Sequence, residues 1–446
     1  MKLLAREGDA VPMRTAGEGA ALLAGGLLAA CGSGSGGDSG AAQLSLKKDI
    51  HAAPSAYPAS RFLAQAAFGG NDEDIDFVRT NGTVAWLNQQ FTIASDQTHW
   101  DWLVSKGFNA TTDSNTTSGI DATLWRKLMS SPDKLRQRVA FALSELFVVS
   151  LIGLPTSWKS FAIAAYMDML AAGAFGNFRD LLQNVTLAPA MGVYLGTQGN
   201  QKEDPATGRE ADENYAREVM QLFTIGLYEL NNDGSLKYDG NGNPIATYDA
   251  TAVTQLAQVF TGWNFNGYST ASPNYLQSPM VLNTKNHSTT AKSFLGVTVP
   301  ANTDGATALK IALDTLFNHP NVPAFVGRQL IQRFVTSNPS PAYIGRVAGA
   351  FIGTTGGVRG DMKAVLTAVL LDPEASTPLG DLSTAGGKVR EPIVRLAQWA
   401  HTFKVTSTSG AWAVGDTSDP GKALGQSPLR SPSVFNFFSP RLCTAE

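Results

Sequence analysis

The most apolar helical stretch in the sequence restricts the fold more than any other feature. Residues 131–149 begin with a typical N-cap residue, Ser131, and a proline at the first helical position, Pro132. The second half, Phe-Ala-Leu-Ser-Glu-Leu-Phe-Val-Val, is nearly all apolar. A helix that is apolar on every side has to be covered by other elements. We therefore predict that a helix over 131–149 runs through the middle of a domain.

Many further segments have helical apolar spacing and end at Gly, Asn or Pro. The predicted helices, besides a short one that opens at Asn71, cover 60–68, 84–91, 161–171, 252–260, 306–317, 323–334, 343–351, 362–371 and 394–401. The alternation of strand and helix that builds a parallel sheet is missing, and no fixed-period repeat occurs. The predicted fold class is mainly α, a single large helical domain with a small β-hairpin excursion near 229–247.

The N-terminal sequence resembles a lipoprotein leader. A short apolar segment ends in Leu28-Ala29-Ala30-Cys31, which is similar to a bacterial lipobox, and a Gly/Ser-rich tether follows. We expect a lipid on Cys31 to anchor the protein in the bacterial cell envelope, facing the periplasm or the cell exterior. The predicted organisation is a signal peptide at 1–30 (with Met13 as an alternative start), the lipidated cysteine and tether at 31–56, the helical domain at 57–440 and an atypical tail at 441–446.

The overall charge excludes one class of partner. The net charge is −3 and only 16% of residues are charged, without basic runs, so we expect no nucleic-acid partner. The two cysteines, Cys31 and Cys443, are too few and too terminal for a disulfide framework or a zinc site. We predict no metal and no cofactor.

The main candidate site is a segment rich in acids, an amide and an arginine. Glu213 and Arg217 stand four residues apart, as do Asn214 and Glu218, so each pair can meet on a helix surface. Glu213 and Glu218 are candidates for general acid or base, with Arg217 beside them. The two glutamates are five apart, however, and do not share one helix face.

An internal network that locks this helix against the polar loop before it is the alternative interpretation. The binding candidates in and around the segment are Asn200, Lys202, Asp212 and Asn214.

Three other segments carry candidate groups. His287 and Lys292 lie in a long loop and, with Trp263, are predicted binding residues, although a lone histidine is more often structural. Residues 388–392 with Arg395 form a cationic corner that can clamp an anion, which helix capping and Arg390/Glu391 ion pairs explain equally well. Residues 239–243 have oxygen-bearing side chains at alternate positions, but Pro244 stands where a calcium loop needs glycine, so we predict a turn.

Four motifs in fixed order resemble one family. They are Arg-Phe-Leu-Ala-Gln-Ala-Ala-Phe-Gly at 61–69, Asp-Glu-Asn-Tyr-Ala-Arg-Glu at 212–218, Phe-Thr-Gly-Trp at 260–263 and Arg-Ser-Pro-Ser-Val-Phe-Asn-Phe-Phe at 430–438. Together they resemble the bacterial domain-of-unknown-function family 1800, over about residues 57–440. The family implies no settled activity. Its members usually continue beyond the proline that corresponds to Pro440, so we expect the tail here to be truncated or frame-shifted.

The resemblance also has gaps at two places where the family carries histidines. Many members have Trp-His-x-His-Phe on the long central helix, where this chain has Leu-Ser-Glu-Leu-Phe at 143–147, and Glu-Leu-His-Thr where it has Gln-Leu-Phe-Thr at 221–224. A metal site built on those histidines therefore does not transfer to this chain.

Two functions remain open from the sequence. The first is an envelope hydrolase or lyase that acts on a glycan or other polymeric substrate through Glu213 or Glu218. The alternative is a non-catalytic scaffold or accessory lipoprotein for another exported protein, which the missing histidines and the lack of a nucleophile motif favour.

Overall fold

A computed structural model describes residues 56–354, 356–376 and 387–437. The predicted leader, Cys31, the tether and the tail with Cys443 lie outside these residues. Within them the prediction of a mainly α fold with a small hairpin is confirmed. The helices before the polar loop are α1 (Ala56–Ala66), α2 (Asp72–Asn81), α3 (Thr83–Thr92), α4 (His99–Ser105), α5 (Ile120–Ser130), α6 (Lys134–Leu146), α7 (Lys159–Gly173), α8 (Phe178–Leu187) and α9 (Pro189–Tyr194).

In the described part of the chain, eight α-helices and four short strands follow the polar loop. The helices are α10 (Asn214–Glu218), α11 (Ala250–Ala257), α12 (Gly305–Asn318), α13 (Val322–Phe334), α14 (Pro341–Ile352), α15 (Met362–Leu370), α16 (Pro373–Ser376) and α17 (Pro392–Thr402). The strands are β1 (Trp263–Asn264), β2 (Val281–Leu282), β3 (Lys292–Phe294) and β4 (Val297–Val299). β1 pairs with β2 and β3 with β4, both antiparallel.

The central helix is α6, as its composition predicts. Ten of its side chains are buried, and it packs against α3, α7 and α13. The predicted start is wrong, since the helix begins at Lys134 and not after Ser131. Ser131 instead ends α5, and its hydroxyl donates to the buried Asp133 carboxylate over 2.6 Å. That side-chain interaction takes the place of the predicted N-cap.

Among the helices that were not predicted, α4 and α5 have stabilising contacts that are distant in sequence. The first N–H groups of α4 donate to the Asp168 carboxylate on α7, at 2.9 Å each from His99 and Trp100. On α5, Arg126 and Lys127 are buried and paired with Asp96, which interrupts the apolar period. A tertiary cap and buried ion pairs thus form helices that periodicity does not reveal.

The predicted hairpin is formed by residues 227–247. Ladder hydrogen bonds run from Glu229 N to Ile245 O and from Lys237 N to Glu229 O, both 2.8 Å. At its tip the Asp239 carboxylate accepts the N–H groups of Asn241 and Asn243, which makes this segment a turn. The long loop after Trp263 contains a second hairpin, β3–β4, that the sequence analysis missed.

Candidate functional site

Asn200 joins the polar loop to two other segments. Its side-chain oxygen accepts the N–H of Asp212 at 3.0 Å, and its amide group donates to the Asp212 carbonyl at 3.3 Å. Its own carbonyl accepts the N–H of Gly262 at 2.8 Å. Gly262 has φ +86, and an added Cβ would lie 2.8 Å from the Asn283 carbonyl, so only glycine fits this close approach. Asn200 therefore fixes where the loop ends and α10 begins.

The polar loop contains an exposed turn between Asp204 and Arg209. Asp204 N donates to Arg209 O at 2.9 Å, and Arg209 N donates back at 3.2 Å. On its inner side, Lys202 N donates to Asn286 O at 2.8 Å, while the Lys202 side chain stays half-buried. Lys202 thus contributes its backbone, rather than its ammonium group, to the loop contacts.

The predicted contact between Glu213 and Arg217 is formed. Arg217 Nη2 lies 3.0 Å from Glu213 Oε2, and Thr254 on α11 donates to Glu213 Oε1 at 2.5 Å. The two charged side chains are 46% and 37% exposed, so water screens their attraction. Asp212 is exposed too, and its carboxylate accepts the N–H of Asn214 at 2.8 Å. These contacts attach α10 to α11 and order its first turn.

Glu218 is different, because it is buried. Burial raises the pKa of its carboxyl, and Arg217 offsets part of that rise. Oε2 of Glu218 has no hydrogen-bond partner among the described residues. The predicted pairing with Asn214 is wrong, since Asn214 is exposed and no hydrogen bond joins the two side chains in the described structure. Glu218 is therefore the one member of the segment that keeps an unused buried carboxylate oxygen.

The helix after Glu218 widens into a π-helical turn over Val219–Thr224. Ile225 N donates to Met220 O, five residues back, at 2.9 Å, and the Thr224 hydroxyl bonds Val219 O. Four of its six side chains are buried. π-turns inside helices occur often at functional positions. The wide turn here places the apolar side chains of the motif in the core.

The His287 side chain is hydrogen-bonded to the segment that carries Gly262. Its Nδ1 lies 2.9 Å from the Thr261 carbonyl, which can only accept, so the assigned neutral tautomer carries its proton on Nδ1. Burial lowers the pKa of His287, and the hydrogen bond to Thr261 partly opposes that change. Nε2 is buried and has no hydrogen-bond partner within the described structure.

Lys292 serves as an internal donor. Nζ donates to the carbonyls of Ser288 and Thr290 at 2.9 Å each, and the residue is 1% exposed. Burial lowers its pKa, while Glu203 opposes the shift. The hydroxyls of Ser288 and Thr290 lie 2.9 and 3.2 Å from Glu203 Oε1. Glu203 thus connects the polar loop to the His287 segment, a role the sequence analysis missed.

These contacts define what we call the loop brace, formed by residues 197–218, 261–264 and 283–292. It brings Asn200, Lys202, Asp212, Trp263, His287 and Lys292 into one connected set of loops. No hydrogen bond or ion pair in the described structure joins His287 to Glu213, Arg217 or Glu218. The Trp263 indole N–H, Glu203 Oε2 and His287 Nε2 are buried and have no hydrogen-bond partner in the part of the chain that the structure describes; such groups are usually satisfied by ordered water or a ligand.

A second polar region lies elsewhere, around α6 and α13. We call it the buried charge cluster, and it consists of Arg138, Glu145, Arg333, Lys388 and Glu391. Lys388 Nζ lies 2.7 Å from Glu391 Oε1, and the two side chains are only 5% and 7% exposed. Lys388 also donates to the carbonyls of Gln332 and Arg333 at the end of α13. In the described structure Glu391 pairs with Lys388, and not with Arg390 as in one of the interpretations that the sequence left open.

The charges of this cluster shift one another strongly. Burial raises the pKa of Glu145 to about 7; Glu391 adds to that rise, and Arg333 and Lys388 oppose it. Burial also acts to raise the pKa of Glu391, but Lys388 and Arg138 outweigh it and hold that pKa below its ordinary value. Two carboxyls close together thus differ in protonation near neutral pH. Opposed pKa shifts of this kind occur at catalytic sites and in structural ion networks alike.

Two properties of the described residues concern metals and membranes. No group of three or more His, Cys, Asp or Glu side chains in residues 56–354, 356–376 and 387–437 is arranged to hold a metal ion. Over the same residues, each helix is too short or too polar to cross a bilayer.

Comparison with known proteins identifies a family but no activity. A family described as "Protein of unknown function (DUF1800)" matches residues 61–442, which is most of the chain. Searches of curated proteins and of solved structures gave no match.

Proposed function

The chain belongs to the DUF1800 family, and we propose that it is a non-catalytic accessory lipoprotein of the bacterial cell envelope that supports another exported protein. In this proposal a lipid on Cys31 holds it at the membrane, and the acid, amide and arginine segment is structural. The observation that carries the proposal is that Asn200 is fully engaged inside the protein. Its side chain hydrogen-bonds the backbone of Asp212, and its carbonyl accepts the N–H of Gly262.

The remaining candidate residues support the same interpretation. The Glu213 carboxylate accepts hydrogen bonds from Arg217 and Thr254, and the Lys292 ammonium group donates to two backbone carbonyls. A general acid or base needs a free proton-carrying atom that can reach a substrate. Glu213 and Lys292 have lone pairs or protons already committed to protein partners, so their positions favour a brace over a reaction centre.

Glu218 favours a second candidate function, an envelope hydrolase or lyase acting on a glycan or other polymer. Its carboxyl has a raised pKa and an unpartnered oxygen, the properties of a general acid. The second carboxylate that such chemistry ordinarily uses would be Glu213. Glu213 lies at the surface in an ion pair, which weakens this alternative.

The two functions are separated by comparing Glu213→Gln and Glu218→Gln with the wild type. Each variant is introduced into a strain that lacks the gene, and growth under envelope stress is measured beside the melting temperature of the purified protein. The exposed Glu210→Gln serves as a matched control. The accessory function predicts that growth follows folded protein level in all variants. A variant that melts like the wild type yet fails to restore growth contradicts it and supports catalysis.

A further inference from the structure

A groove of about 280 Å³ lies between the start of α1, the end of α13 and the segment that precedes α17. The charged groups among the described residues that line it are Arg61, Lys388 and Arg390, and no carboxylate lines it. Polar neighbours come from α1 and α17, including Gln65 and Gln398. A concave surface lined by cations alone attracts anions, since its low-dielectric walls concentrate the field.

Arg390 is the least compensated charge of this groove. It is half-buried, its guanidinium contacts Gln398 Oε1, and it forms no ion pair with a described carboxylate. The neighbouring Glu391 is held by Lys388. Burial, followed by repulsion from Arg395, lowers the pKa of Arg390, and attraction to Glu391 opposes that change. A guanidinium held by an amide, and in contact with no carboxylate of the described residues, is well suited to accept an oxyanion.

The buried charge cluster beneath the groove adds positive potential. Arg138 Nη2 donates to the Arg333 carbonyl at 2.5 Å, the same oxygen that Lys388 Nζ bonds at 3.0 Å. Arg138 is 1% exposed, and its Nε and Nη1 have no hydrogen-bond partner among the described residues. With Glu145 largely protonated below neutral pH, cations outnumber carboxylates in this cluster. Lys388 belongs to both the cluster and the groove lining, so the excess positive charge extends to the groove.

We propose that this groove binds a phosphate group, with Arg390 as its principal donor. The groove has more room than one phosphate fills, so the phosphate belongs to a larger molecule. A soluble phosphorylated compound and a lipid headgroup carry the same chemistry. Because α1 is the first described helix after the predicted tether, a lipid headgroup is one of the two candidate ligands. The inference does not depend on whether the protein is catalytic.

The test uses the full chain and inorganic phosphate in isothermal titration calorimetry, at constant ionic strength set with chloride. We expect saturable binding by the wild type and at least about tenfold weaker binding by Arg390→Gln, as the loss of one charge-assisted contact implies. Arg61→Gln is a second variant on a different element, and thermal unfolding verifies that each variant is folded. Arg395→Gln removes an equal charge close by, on an exposed side chain that does not line the groove, and should weaken binding much less than Arg390→Gln does.

A second arm identifies the source of the phosphate. The wild type and Arg390→Gln are compared for sedimentation with phosphatidylglycerol vesicles and with phosphatidylcholine vesicles, so that the N-terminal segment is the same in both proteins. A defect of the variant on phosphatidylglycerol alone assigns the groove to lipid headgroups, and phosphate binding without that defect assigns it to a soluble compound. No binding of either probe, equal loss in Arg395→Gln, or tighter binding of succinate than of phosphate overturns the proposal.

Discussion

The loop brace and the buried charge cluster contain similar side chains in opposite surroundings. In the brace, Glu213 and Arg217 face water, with 37% and 46% of their side chains exposed. In the cluster, Lys388 and Glu391 lie at 5% and 7%. Exposed pairs contribute little to stability, whereas removing one partner of a buried pair leaves a charge without water or counter-ion. The same ion-pair geometry should therefore have very different energetic consequences at the two sites.

The largest effect is expected from Glu391→Ala. The change leaves Lys388 buried without its carboxylate, and should lower the free energy of unfolding by roughly 3–5 kcal/mol. Urea unfolding followed by circular dichroism measures it. The double variant Lys388→Met/Glu391→Leu removes both charges and should recover most of the loss. A loss below about 1 kcal/mol for Glu391→Ala would show that the cluster is as solvated as the brace.

The next effect concerns pH. Burial raises the pKa of Glu145 from 4.5 to about 7, so the folded state holds this proton more tightly than the unfolded chain does. The contribution of this proton to the free energy of unfolding is fully present below pH 4.5 and is lost as the pH rises through 7. The total loss is about 3 kcal/mol.

Glu145→Gln isolates this effect, because it keeps the shape and cannot titrate. The difference in unfolding free energy between the variant and the wild type should change between pH 5 and 8. Arg138, Arg333, Lys388 and Glu391 face Glu145 in both proteins, and their contributions largely cancel. A difference that stays constant over that range would mean that Glu145 is ionised throughout.

Within the brace, Asn200→Ala should have the largest effect. It removes two hydrogen bonds to the backbone of Asp212 and should cost about 2 kcal/mol. Faster amide hydrogen exchange should appear at residues 200–212, measured by mass spectrometry. The exposed Asn214→Ala is the control, with an expected change below about 0.5 kcal/mol. Similar exchange in the two variants would argue against Asn200 as the residue that holds the loop.

The smallest effect is expected from Arg217→Gln. Its ion pair with Glu213 is solvent-exposed, so the unfolding free energy should fall by less than about 1 kcal/mol, and 1 M salt should abolish most of the difference. Thermal unfolding at low and high salt measures both. A salt-independent loss of several kcal/mol would place this pair in the same class as Lys388 and Glu391.

Sequence periodicity was sufficient for most of the fold, because most helices bury one apolar face. It located the central helix α6 and the hairpin at 229–247, and α2 opens beside Asn71 as predicted, where the side chains of Asn71 and Asp74 each accept the other residue's backbone N–H. It missed α4 and α5, whose stability depends on Asp168 and Asp96. Their carboxylates come from other parts of the chain, and local spacing carries no information about them.

Only some of the contacts in the candidate site and the buried charge cluster could likewise be predicted from local spacing. The Glu213–Arg217 pair follows from a spacing of four residues on one helix. Glu203 lies in a loop without any period, and only the fold brings it to Ser288. Glu145 and Arg138 read as interruptions of an apolar helix, and their partners come from residues 333–391. A cluster assembled from three distant segments leaves no signature in any one of them.

The exposed turn between Asp204 and Arg209 offers a practical position for adding sequence. The two residues are joined by backbone hydrogen bonds in both directions, and the four residues between them are exposed. Loop-closure entropy grows slowly with length, and exposed loop tips tolerate insertions well. An epitope or a small fluorescent reporter placed after Ala206 would project into solvent while Asn200 and Lys202 keep their contacts. The protein could then be followed in living cells through a position inside its folded domain.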